Sequence, residues 1–143
     1  MVAVQRTFTV SKPVDVVVDY LTDFSRAEQW DPGTAMCTRQ DSGPIQEGST
    51  WTNISVFLGR RTELTYRLER LEPNRLTFVG HNATARSTDD LTFSPDDGAT
   101  TVTYRAQIDF NGAARLAGPF LRLAFERLAN KVAVQMSAVI DEL

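Results

Sequence analysis

Along the first ten residues apolar side chains recur at every second position, Val2, Val4, Phe8 and Val10, with Arg6 in the remaining slot. A period of two is that of a half-buried strand. At Ser11-Lys12-Pro13 the period changes. Val14, Val17, Val18 and Leu21 follow at steps of 3, 1 and 3, the apolar stripe of an amphipathic helix. Pro13 suits the first turn of that helix, with Ser11 or Lys12 expected as its cap. A second short helix is expected from Phe24 to Trp30, stopped by Asp31-Pro32-Gly33.

Between residues 34 and 110 the pattern returns to strands. Turn signals fall at Asp41-Ser42-Gly43-Pro44, Gly59, Glu72-Pro73-Asn74, Gly80 to Asn82, and Pro95-Asp96-Asp97-Gly98. They separate six runs rich in Thr, Val, Tyr and Phe. Strands joined by short turns with no helix between them pair antiparallel. The last segment changes period again. From Pro119 to about Glu142, Leu121, Ala124/Phe125, Leu128, Val132, Met136 and Val139 keep helical spacing, with Gly118 parting this helix from a short preceding turn. Twenty-four residues make a rod of about 36 Å, which needs a broad, curved sheet to cover its apolar face. The expected class is therefore α+β: a seven-stranded curved antiparallel sheet around a long C-terminal helix, with two short helices after the first strand. At 143 residues one domain spanning 1–143 is expected, large enough to bury a core without disulfides or metals.

Several motifs occur in order along this framework: Ser11-Lys12-Pro13, Asp23, Trp30-Asp31-Pro32-Gly33, Gly48-Ser49-Thr50-Trp51, Leu58-Gly59-Arg60, Leu71-Glu72-Pro73 and Asp89-Asp90-Leu91-Thr92-Phe93. With the long final helix they resemble the polyketide cyclase/dehydrase and lipid-transport group of the START-like superfamily (SRPBCC). The resemblance spans nearly the whole chain. It implies the helix-grip fold and a cavity between sheet and helix, and it is compatible with cyclases, lipid carriers and hormone receptors alike.

Strand parity says which side chains would face such a cavity. Val102, Tyr104, Ala106, Ile108 and Phe110 share one face and must point inward. Leu64, Tyr66 and Leu68 do likewise, as do Leu76 and Phe78. Asp89 shares its face with Leu91 and Phe93, so a carboxyl is expected inside. For residues 49–58 parity leaves two choices, Trp51 with Phe57 or Ile54 with Val56 and Leu58. The candidate ligand-binding set is Trp30, Trp51, Tyr66, Phe78, Asp89, Tyr104 and Phe120: apolar walls with a few polar groups, as small-molecule pockets have. An inward aromatic is more often plain core. An inward acid needs a partner or a ligand.

Composition narrows the chemistry. Fifteen basic against eighteen acidic residues give a net charge of −3, without the basic excess that a phosphate-binding surface shows; no nucleic-acid partner is expected. Cys37 and His81 are the only Cys and His, which excludes an intrachain disulfide and ordinary zinc sites. No metal or cofactor is expected. His81 shares parity with Thr77 and Val79, opposite to Phe78, and should face outward. No G-x-S-x-G elbow or Gly-rich phosphate loop is present. Asp89 and Asp90, being adjacent on a strand, cannot flank one bond as a glycosidase pair does. No apolar run approaches the roughly 20 residues of a membrane span, and the N-terminus lacks a signal-peptide core, so the chain reads as cytoplasmic.

The function expected from these features is binding of a small hydrophobic ligand, lipid-like, aromatic or polyketide, as carrier or sensor. One alternative is a polyketide aromatase/cyclase or dehydratase, for which no catalytic set is identifiable, although Tyr66, Tyr104 and Asp89 offer proton-transfer groups. A second is a protein-interaction module with a filled interior and an exposed apolar patch. Neither the ligand nor the oligomeric state is legible from these residues.

Overall fold

A computed structural model describes residues 1–111 and 118–143. The order is β1 (Val2–Val10), α1 (Val14–Thr22), a 3-10 turn (Phe24–Arg26), α2 (Ala27–Trp30), β2 (Thr34–Arg39), β3 (Thr50–Phe57), β4 (Arg60–Glu72), β5 (Arg75–His81), β6 (Ala85–Asp96), β7 (Ala99–Phe110) and α3 (Gly118–Asp141). The second expected helix is thus a 3-10 turn running into one α-turn. The turn expected before Gly118 lies outside the described residues.

All seven strands pair antiparallel in one sheet, ordered β1-β7-β6-β5-β4-β3-β2. Breaks in register at Thr34/Met36 in β2 and Leu68/Arg70 in β4 supply the local bends by which a sheet curls. Parity holds as the alternation implies. Leu64, Tyr66, Leu68, Leu76, Phe78, Asp89, Leu91, Phe93, Val102, Tyr104 and Ala106 are all buried, whereas Ile108 and Phe110, also expected inward, are only half-buried at the end of β7. In β3 the choice falls to Trp51, which is fully buried with Asn53, while Val56 is exposed.

Helix α3 packs on this inner face, and its two halves differ. Val132, Met136 and Ile140 are buried to 2%, 0% and 0% exposure, whereas Phe125 and Leu128 are only partly buried. Two polar ties fix its position. Arg6, the polar exception on the inner parity of β1, donates to Glu126 Oε2 at 2.7 Å and to Asn130 Oδ1 at 2.9 Å. Ser11 does not cap α1, which begins after Pro13 without a side-chain cap. Its N–H and hydroxyl instead donate to Asp141 Oδ1, at 2.7 and 2.9 Å, at the far end of α3.

Candidate functional site

The interior is built around one aromatic hub. Asp23 accepts from the Ser25 N–H at 3.0 Å and starts the 3-10 turn, which drops Phe24 into the sheet's hollow. Phe24 lies 4.5 Å from both the Tyr66 and Phe78 rings, in tilted contact, and edge-on to Trp30 and Trp51 at 6.0 and 6.2 Å. The same Asp23 carboxylate accepts from Trp51 Nε1 at 3.2 Å, so the indole is both buried and satisfied.

Across the sheet, Phe78 pairs with Asp89 and Asp89 with Ala106. Asp89 is 6% exposed, and its resolved polar contact is the Tyr104 hydroxyl, which donates to Oδ1 at 3.4 Å. Burial, reinforced by the negative charge of Asp31, pushes the Asp89 carboxyl up to about 7, with the Tyr104 hydrogen bond opposing. The Tyr104 and Tyr66 phenols are raised well above their ordinary range, first by burial and then by the Asp89 charge. Asp31 is also raised by burial, against hydrogen bonds from the Gly33 N–H at 2.8 Å and the Thr34 hydroxyl at 3.0 Å. The neighbouring acid behaves oppositely. Asp90 points outward, where burial is outweighed by Arg75, at 3.0 and 2.8 Å, and by the Thr77 hydroxyl, and its carboxyl is lowered. Adjacent residues on one strand thus have opposite proton affinities because the strand's pleat sends one into the core.

Six of the seven candidates, Trp30, Trp51, Tyr66, Phe78, Asp89 and Tyr104, are brought together in this interior. Phe120 is not among them. It is 80% exposed, because it sits in the first turn of α3, ahead of the stretch that the sheet covers. Sequence reasoning missed Phe24, Asp31 and Ser87. Phe24 belonged to a helix too short to show a stripe, and Asp31 read as a helix stop. Ser87, buried and hydrogen-bonded to the Tyr66 hydroxyl, comes beside it through the pairing Tyr66–Gly80–Ser87. Gly80 has a specific reason. A Cβ there would lie 2.7 Å from the Tyr66 ring, so only glycine lets that ring lie flat across β5. His81 is exposed. Burial, together with Glu28, Asp23 and Asp31, raises the Cys37 thiol to about 12 against an opposing hydrogen bond with Asn53, which leaves it a poor nucleophile.

Between sheet and α3 lies a cavity of about 20 Å³, lined by Val4, Tyr104, Ala106, Phe125, Leu128, Ala129 and Val132. That is room for about one water. Trp30 Nε1 is buried without a hydrogen-bond partner among the described residues, and its ring meets Tyr104 edge-on at 6.0 Å. No three of His, Cys, Asp and Glu among the described residues converge to hold a metal ion. No described helix is long and apolar enough to cross a membrane.

A curved sheet gripping a C-terminal helix over an apolar interior that holds an acid–phenol pair defines a helix-grip protein of the START type. The chain belongs to the polyketide cyclase / dehydrase and lipid transport family, whose model matches residues 1–140. It is similar in structure to a START superfamily protein from Mycobacterium smegmatis, at 11% identity and TM-score 0.80, covering 98% of this chain and 97% of that one. It is also similar to the Zhui aromatase/cyclase from Streptomyces sp. R1128, at 18% identity and TM-score 0.75, covering 98% and 92%. A protein of Thermus thermophilus aligns at 11% identity and TM-score 0.81, covering 96% of each chain. At these identities the likeness is one of fold. No curated protein matches the sequence.

Proposed function

We propose that the protein binds a small hydrophobic molecule between the sheet and α3, as a carrier or sensor, with Asp89 and Tyr104 orienting a polar group of the ligand. The observation that carries this reading is the buried Asp89–Tyr104 pair in an otherwise apolar interior. A carboxyl kept from water with one long hydrogen bond lowers stability at neutral pH, which a binding role explains and core packing does not. A ligand of ordinary size needs a few hundred cubic ångströms, so the cavity must open. Its lining is shared with the lightly packed half of α3, which would tilt about the anchor formed by Val132, Met136 and Ile140. Trp30 Nε1 adds a donor for a ligand carbonyl or ether oxygen.

One observation favours a second reading, an interaction module whose interior stays closed: the cavity holds only about 20 Å³. A thermal-shift screen of fatty acids, sterols, flavonoids and aromatic polyketides, followed by native mass spectrometry of any hit, separates the two. A ligand at 100 times its Kd stabilises the fold by about 2.7 kcal/mol. Tyr104→Phe should weaken the shift, and His81→Ala should leave it intact. If no compound class shifts the transition, and hydrogen exchange over 121–128 is as slow as over 132–140, the closed-interior reading holds. Turnover of a polyketide substrate abolished by His81→Ala would instead establish an enzyme and overturn the outward placement of that ring.

A further inference from the structure

At one end of the molecule the β3–β4 hairpin meets the first turns of α3, with Phe57 edge-on to Phe125 at 6.3 Å between ring centroids. The apolar side chains displayed there are largely open to solvent. Phe120 is 80% exposed, Leu58 62% and Leu123 53%. Leu58 is doubly unfavourable. It takes φ +53° and Gly59 φ +75°, the two left-handed residues of a mirror-image two-residue turn. That turn favours Asn-Gly or Asp-Gly, and a leucine in it is strained by its own Cβ.

The charges on the hairpin tip and the first two turns of α3 have one sign. Arg60, Arg61, Arg122 and Arg127 are all exposed, and none makes a resolved ion pair among the described residues. Residues 57–61 and 118–125 contain no acid. The next acid on α3, Glu126, is engaged by Arg6 at 2.7 Å, and Glu63 stands back from the hairpin tip on β4. In a chain of net charge −3 this end is locally basic. Aromatic and leucine tips ringed by arginines match the two parts of a lipid–water interface, acyl chains below and anionic headgroups above.

We propose that this end docks on an anionic lipid bilayer, with Leu58, Phe120 and Leu123 entering the interface and the four arginines contacting headgroups. The test is co-sedimentation of the full chain with vesicles of equal parts phosphatidylglycerol and phosphatidylcholine, against vesicles of phosphatidylcholine alone. Binding is expected to the anionic vesicles only and to weaken with added salt. Leu58→Asn is the decisive variant, since asparagine suits the left-handed turn and should keep or raise the Tm. It should nonetheless lower vesicle binding by about tenfold or more, as expected for an interface leucine. Arg60→Gln and Arg122→Gln should each lower it about fivefold.

Equal binding to both vesicle types would overturn the charge argument. Full binding by Leu58→Asn would overturn the placement of the tip. Absence of vesicle binding would reject the bilayer, and a dimer in sedimentation velocity that Leu58→Asn dissolves would then assign this end to a second copy of the chain. The outcome does not depend on whether the interior binds a ligand.

Discussion

Replacing Asp89 by asparagine tests the dry interior directly. The side chain keeps its shape and keeps an oxygen to accept from the Tyr104 hydroxyl, which lies at 3.4 Å from the carboxylate, but it loses its ionisation. In the folded protein the carboxyl titrates at about 7 instead of 3.8. The folded state therefore binds this proton more tightly than the unfolded chain. The associated stability is fully present below about pH 4 and is lost as pH rises, until ionisation is complete above about pH 7. Three pH units at 1.36 kcal/mol each set the loss at about 4 kcal/mol. The amide does not titrate. Asp89→Asn and wild type should thus be closest in stability near pH 4, and the variant should gain progressively up to about pH 7. The gain corresponds to a Tm difference of about 10–15 °C for a chain of this size. Urea midpoints from pH 4 to pH 8.5 measure it. Asp31, whose charge acts on Asp89, loses that repulsion in the variant, so its contribution adds to the gain where both carboxyls would be ionised. A pH-independent difference, or a variant less stable than wild type at pH 8, would mean that water or a bound cation already compensates the Asp89 charge.

Two further sets of substitutions probe packing. Met136→Ala, at a fully buried position in the anchored half of α3, should cost about 2–5 kcal/mol, and Leu128→Ala, only partly buried, about 1–2 kcal/mol; chemical denaturation that ranks them the other way would relocate the helix anchor. Gly80→Ala should cost about 1–3 kcal/mol by forcing the Tyr66 ring off β5, and most of that cost should vanish in a Tyr66→Leu background. A cost unchanged by Tyr66→Leu would place the strain in the backbone.

The periodicities alone determined the architecture. Switches between period two and period 3.6 marked the element boundaries to within a few residues, because each face must stay consistently apolar or polar along its length. Parity also sent Asp89 inward and Asp90 and His81 outward, since a pleated strand leaves no other choice. What parity could not say is how far across the hollow a side chain reaches. Phe24 became the aromatic hub through a 3-10 turn that sets its ring against Trp51, Tyr66 and Phe78, all distant from it in sequence, and no local pattern carries such contacts. Phe120 looked like wall and is surface. The inner face of the final helix is fully buried only from about Ala129 onward, with Phe125 and Leu128 partly covered and Phe120 and Leu123 exposed. Arg6 looked like a flaw in an apolar stripe and is a tie to Glu126. Whether the interior is open is a matter of volumes summed over all the elements at once, and that sum exists only in the packed structure.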